Sequence, residues 1–105
     1  MTRQIMFRQG DLLLVRTMAM PEGEALQAEG GRLILARGEV TGHHHSVSVA
    51  DAEAISTAEA VYLRIMTPTP LEHQEHAPLP LEPGIYRVIR QREYQPRELP
   101  RQVAD

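Results

Sequence analysis

All five histidines of this 105-residue chain fall in two short stretches, Gly42-His43-His44-His45 and His73-Gln74-Glu75-His76. A neutral imidazole offers a nitrogen lone pair to a cation, and a transition metal needs several such donors, or carboxylates, converging on one point. In an extended segment successive side chains point to opposite faces. From 43 to 49 this places His43, His45, Val47 and Val49 on one face, with His44, Ser46 and Ser48 on the other. Two imidazoles are therefore expected to turn inward with the valines and one outward with the serines. Further ligands must come from the second stretch. His43, His45 and His76 are the primary candidate ligands, and His73 and Glu75 compete for a fourth place.

Cysteine is absent, so disulfides, thiolate metal sites and cysteine nucleophiles are excluded. A metal held by imidazole and carboxylate alone fits zinc, iron, manganese, nickel or copper. Glu39, Glu72 and Glu75 have the chemistry of a general base beside a metal-bound water, but no spacing singles one out. Arg90 and Arg92 are candidates for an anionic group near the metal. Tyr86 and Tyr94 flank three arginines and have the faces to stack on nucleotide bases. Ser46 and Ser48 form no recognisable nucleophile motif, and no glycine-rich phosphate loop precedes a helix. The methionines read as core or loop fillers. Against the metal reading stands a plain one, in which a His-x-His pair is an ordinary surface feature of a strand.

These side chains need a scaffold, and the pattern predicts strands. Residues 5–7 and 12–15 are strand-like around a Gln9-Gly10-Asp11 turn; 17–31 reads as a loop or long hairpin connection, and 32–36 as the next strand. Residues 51–60 are alanine-rich, fitting a short helix or a strand pair. Residues 61–66 form a strand, and Pro68 and Pro70 cannot continue a central one. The segment 71–81, with Pro78 and Pro80, is extended and at an edge. Glu82-Pro83-Gly84 is a turn, and 85–94 is the longest strand. The expectation is a mostly β, small single-domain β-barrel or sandwich of about seven short strands over residues 1–95, with an irregular tail over 96–105.

The length suits one core. The aromatics are few (Phe7, Tyr62, Tyr86 and Tyr94), so Leu, Ile, Val, Met and Ala must fill it. The net charge is −3, which argues against general nucleic-acid affinity, although the stretch from residue 84 onward is arginine-rich. No segment is long and apolar enough for a bilayer and none resembles a signal peptide, so a cytoplasmic location without membrane attachment is the expectation.

Gly38-Glu39-Val40-Thr41-Gly42-His43-His44-His45, with a later histidine ahead of Pro83-Gly84, resembles the metal-binding half of a small cupin. That resemblance implies a barrel in which a His-x-His, a glutamate and a later histidine hold a metal. The chain departs from it: no glutamate follows three or four residues after His45, and the later histidine precedes the Pro-Gly turn. The chain also resembles small bacterial and phage-type proteins of unassigned function through residues 38–45, Glu75-His76-Ala77-Pro78, Gly84-Ile85-Tyr86-Arg87-Val88 and Gln91-Arg92-Glu93-Tyr94.

Three functional readings follow from the sequence. The first is a divalent-metal-binding β protein whose ligand partner is a small molecule. The second is a non-enzymatic accessory module that docks on a protein, or on a second copy of itself, with structural histidines. The third is a weak single-strand nucleic-acid binder using Arg87, Arg90, Arg92 and the tyrosines.

Overall fold

The computed structural model describes residues 5–38 and 42–91. Glu39, Arg92, Tyr94 and the tail expected from residue 96 lie outside the described residues. In chain order the strands are β1 (Met6–Gln9), β2 (Leu12–Thr17), β3 (Glu24–Ala25), β4 (Arg32–Arg37), β5 (His44–Ser48), β6 (Ala52–Ser56), β7 (Val61–Ile65), β8 (Thr69–Leu71), β9 (Leu79–Leu81) and β10 (Gly84–Arg90). No α-helix occurs among the described residues, so none is long and apolar enough to cross a membrane.

β1 and β2 form a hairpin with Gln9 opposite Leu12. Its two-residue turn is Gly10-Asp11, and Gly10 has φ +59°, as primed hairpin turns require at their first central position. β10 lies between β2 and β7, antiparallel to both, and the sheet runs β1-β2-β10-β7-β6-β3. Ala52 and Ala54 alternate into the core, which settles the alanine-rich segment as a strand. It ends where the Thr57 hydroxyl accepts hydrogen bonds from the amides of Glu59 and Ala60, both at 3.1 Å, folding the chain back into β7.

Two ribbons complete the molecule, β4–β5 and β8–β9. In the second, Pro70 stands opposite Pro80. Neither has an N–H, so the flanking pairs Thr69–Leu81 and Leu71–Leu79 carry the ladder. One residue past β8, Glu72 exchanges both backbone hydrogen bonds with Ser46 of β5, at 3.0 and 2.9 Å. This short bridge brings the second histidine stretch beside the first. The core draws on all three sheets: Leu12, Leu14, Leu63, Ile65 and Val88 cluster with Leu33, Leu35, Val47, Leu71 and Leu81.

The mostly β class holds, but no closed barrel forms among the described residues. The outer strands β1 and β3 of the large sheet are not paired with each other. Pro21, Gly23, Gly30 and Gly31 interrupt the segment leading into β4, so β3 reaches only two residues. The strand count exceeds the expected seven because that segment contributes β3 and the proline-rich region folds as the pair β8–β9.

The side-chain alternation in β5 is also corrected in part. His45 and Val47 turn inward as expected, but Ser46 is buried too. Arg32 covers it, donating from Nε to the Ser46 hydroxyl at 3.1 Å and from Nη2 to its carbonyl at 3.0 Å, and pairs with Glu72 at 3.2 Å. Val49 lies past the strand end and is exposed. Opposite His45 the register of β4 shifts between Ile34 and Ala36. The extra residue, Leu35, lets two successive side chains, Leu35 and Ala36, enter the core.

Tyr86 departs from its expected role as well. It is fully buried, its hydroxyl donates to the Glu82 carbonyl at 2.7 Å, and its ring meets Phe7 edge-on at 6.0 Å. A ring enclosed in this way offers no face to a nucleotide base.

Candidate metal centre

Three elements meet at one end of β5: the Gln9-Gly10-Asp11 turn, the segment 43–45, and the loop 72–78 between β8 and β9. Gln9 is the hub. It is buried, and its Nε2 donates to the carbonyls of Leu71 and Ala77 at 2.8 and 2.9 Å. Those two acceptors fix the orientation of the amide, leaving its oxygen to face His45 Nδ1 at 2.8 Å. An amide oxygen only accepts, so Nδ1 of His45 carries a proton. In the neutral ring the other nitrogen, Nε2, then presents a lone pair. That nitrogen points at Asp11 Oδ1, 3.3 Å away, while Asp11 Oδ2 accepts from Arg90 Nε at 3.3 Å. Arg90 also donates to the Arg37 carbonyl, which anchors the guanidinium across the site.

The four expected imidazoles come together. Ring centroids of His45 and His73 are 4.4 Å apart, those of His73 and His76 4.6 Å, those of His43 and His73 5.6 Å, and those of His45 and His76 6.4 Å. His43 Nδ1 lies 3.5 Å from Glu75 Oε1. His44 stands apart, its backbone amide donating to the Gln74 side chain at 2.8 Å. Glu75 thus sits at the rim of the cluster, and Arg90 lines the same open pocket of about 350 Å³. Among the described residues, no group of three or more His, Asp or Glu side chains is placed so that it could hold a metal ion without rearrangement.

His73 differs from its neighbours. Its Nδ1 accepts from the Glu75 amide at 3.0 Å, which puts the proton of the neutral ring on Nε2. The lone pair of the neutral His73 ring is thereby engaged in this rotamer, whereas the Glu75 carboxylate lies 3.5 Å from His43 Nδ1 at the rim.

Electrostatics favour the neutral form of His45 and of His73. Burial pushes the His45 pKa down, and the neighbouring charges of His73 and His76 push the same way, outweighing Asp11, which opposes them. Burial followed by the charges of His76 and His43 also holds His73 below its ordinary value. Burial pushes Asp11 up, but its polar contacts with Arg90 and with the His45 ring outweigh it, and its carboxyl titrates below the usual range.

The site explains Gly10. A Cβ there would lie 2.6 Å from His76 Nε2, and the positive φ disfavours any L side chain. Gly10→Ala is expected to cost on the order of 1–2 kcal/mol and to push the His76 ring aside. Thermal melting reads the first effect, and the histidine resonances in an NMR spectrum read the second.

Sequence spacing found the imidazoles and missed Gln9 and Asp11. Both lie in a turn whose residues serve equally well as punctuation. The available signal was that a hairpin turn needs only its two central residues to be polar, so a glutamine at the preceding strand position calls for a buried partner.

A family profile described as Domain of unknown function (DUF8820) matches residues 8–91. Comparison with curated proteins and with solved structures yields no match.

Proposed function

The chain belongs to this DUF8820 family, and because the family's function is unknown, we propose from the residues themselves that the protein binds one divalent first-row transition metal through the histidine cluster. His45, His43 and His76 are the principal ligands, with Glu75 or His73 assisting. The supporting observation is that four imidazoles from two remote stretches crowd over one open pocket, with ring centroids no more than 6.4 Å apart along the chain of contacts. Within this cluster the neutral His45 ring turns its Nε2 lone pair toward the Asp11 carboxylate, 3.3 Å away. A metal would resolve that contact by accepting the lone pair, with side-chain rotations of the neighbouring imidazoles completing the set. The His45 proton held by Gln9 matches the usual arrangement in which a ligating imidazole gives its other N–H to an oxygen. Zinc, iron, manganese, nickel and copper all suit this donor class, and an open coordination place would let the metal hold water or a small oxygenated ligand.

Elemental analysis of untagged protein tests this reading. About one equivalent of metal is expected in the wild type, falling to a small fraction in His43→Ala, His45→Ala and His76→Ala, each checked for retained folding. Substoichiometric metal that none of the three substitutions alters would end the proposal.

A further inference from the structure

Resting on the metal reading above, we propose that Asp11 is a ligand of the same ion, making the site a mixed imidazole–carboxylate centre. His45 faces both Gln9 and Asp11. Gln9 holds a proton on Nδ1, so the neutral ring aims a lone pair from Nε2 at Asp11 Oδ1, itself an acceptor, 3.3 Å away. Two acceptors in that position repel unless something positive lies between them. Only a proton or a cation fills that role.

The spacing suits the cation. Two ligand atoms each about 2.0–2.1 Å from a tetrahedral metal stand roughly 3.3–3.4 Å apart. The carboxylate is also held for the task. Arg90 Nε donates to Oδ2, while Oδ1 is the oxygen that faces His45 Nε2. Asp11 owes its place to the turn: Gly10 at φ +59° lets the chain reverse beneath His76 and present Gln9 and Asp11 to the same imidazole. An anionic oxygen beside neutral imidazoles selects a divalent cation with affinity for both N and O donors, such as zinc, iron, manganese or nickel. It disfavours monovalent copper, which prefers sulfur.

Asp11→Asn preserves the shape of the side chain and an oxygen for Arg90 while removing the anionic ligand. Zinc affinity by chelator competition and the cobalt(II) d–d spectrum are read on wild type, Asp11→Asn, Asp11→Ser and His45→Ala, with melting of the metal-free proteins as the folding control. The expected result is a loss of about 100-fold or more in zinc affinity for Asp11→Asn and a shifted, weaker cobalt spectrum. Asp11→Ser supplies the same comparison should the asparagine variant fold poorly. Wild-type affinity in both Asp11 variants, with binding still abolished in His45→Ala, overturns the role of Asp11 and leaves the histidine site standing. No zinc or cobalt binding by wild type overturns both and assigns the gap between His45 and Asp11 to a proton.

Discussion

Gln9→Leu is expected to destabilise the protein by about 3 kcal/mol or more and to release His45 from its fixed orientation. Three hydrogen bonds end at this one amide: two to the carbonyls of Leu71 and Ala77 and one from His45 Nδ1. Leucine fills the volume but supplies no polar atom. A buried polar group stripped of its partner costs about 1–3 kcal/mol, and the three groups lie in β8, the loop after it and β5. Small domains hold only about 5–15 kcal/mol in total, so the variant is expected to approach the edge of stability. The denaturant midpoint measures this, with Met18→Ala at an exposed position as the control expected to stay within about 0.5 kcal/mol. A loss below 1 kcal/mol in Gln9→Leu would show that these hydrogen bonds do not persist in solution. In that case the fixed tautomer of His45 goes with them.

The division between what the sequence reveals and what it hides has a physical origin. Strand periodicity depends on neighbours in the chain, and it correctly turned His45 and Val47 inward. The proline pairs at 68–70 and 78–80 correctly excluded a central strand, because a missing N–H is a local fact. The burial of Ser46 was not legible. It depends on Arg32 and Glu72, which reach it only through pairings between different ribbons. The barrel expectation failed for a similar reason: closure is decided by whether β1 and β3 meet, and no local pattern in either strand encodes that. The histidine site was half visible. Imidazoles are rare and clustered here, so they announce themselves, whereas Gln9 and Asp11 are common residue types whose meaning comes from the atoms opposite them. The backbone hydrogen bond that engages His73 Nδ1 is likewise something no spacing rule supplies.

Adding zinc at about a thousand times its dissociation constant is expected to stabilise the protein by about 4 kcal/mol at neutral pH. For a domain near this size that corresponds to a melting temperature higher by roughly 15–30 °C. The increment must shrink in acid, because protons compete with the metal for the imidazole lone pairs; the depressed pKa values of His45 and His73 act separately, on the metal-free protein. An unfolded histidine takes up a proton near pH 6.5, whereas these two take it up only at lower pH. Between those points the unfolded chain binds more protons, so even metal-free protein loses stability as the pH falls below about 6.5, and the loss is complete once the folded rings protonate too. Asp11, also depressed, adds a second decline further into acid, where its carboxyl protonates. Asp11 and Glu75 favour the charged imidazoles and Arg90 opposes them, but these three groups and the four imidazoles share one pocket, and a proton on any ligating nitrogen displaces the metal. Thermal melts with and without zinc at pH 7.5 and pH 5 decide the matter. A difference of tens of degrees shrinking to a few is the expected pattern. An increment that survives unchanged at pH 5, and in His43→Ala, His45→Ala and His76→Ala as well, would place the zinc on carboxylates alone and take the histidines out of its coordination.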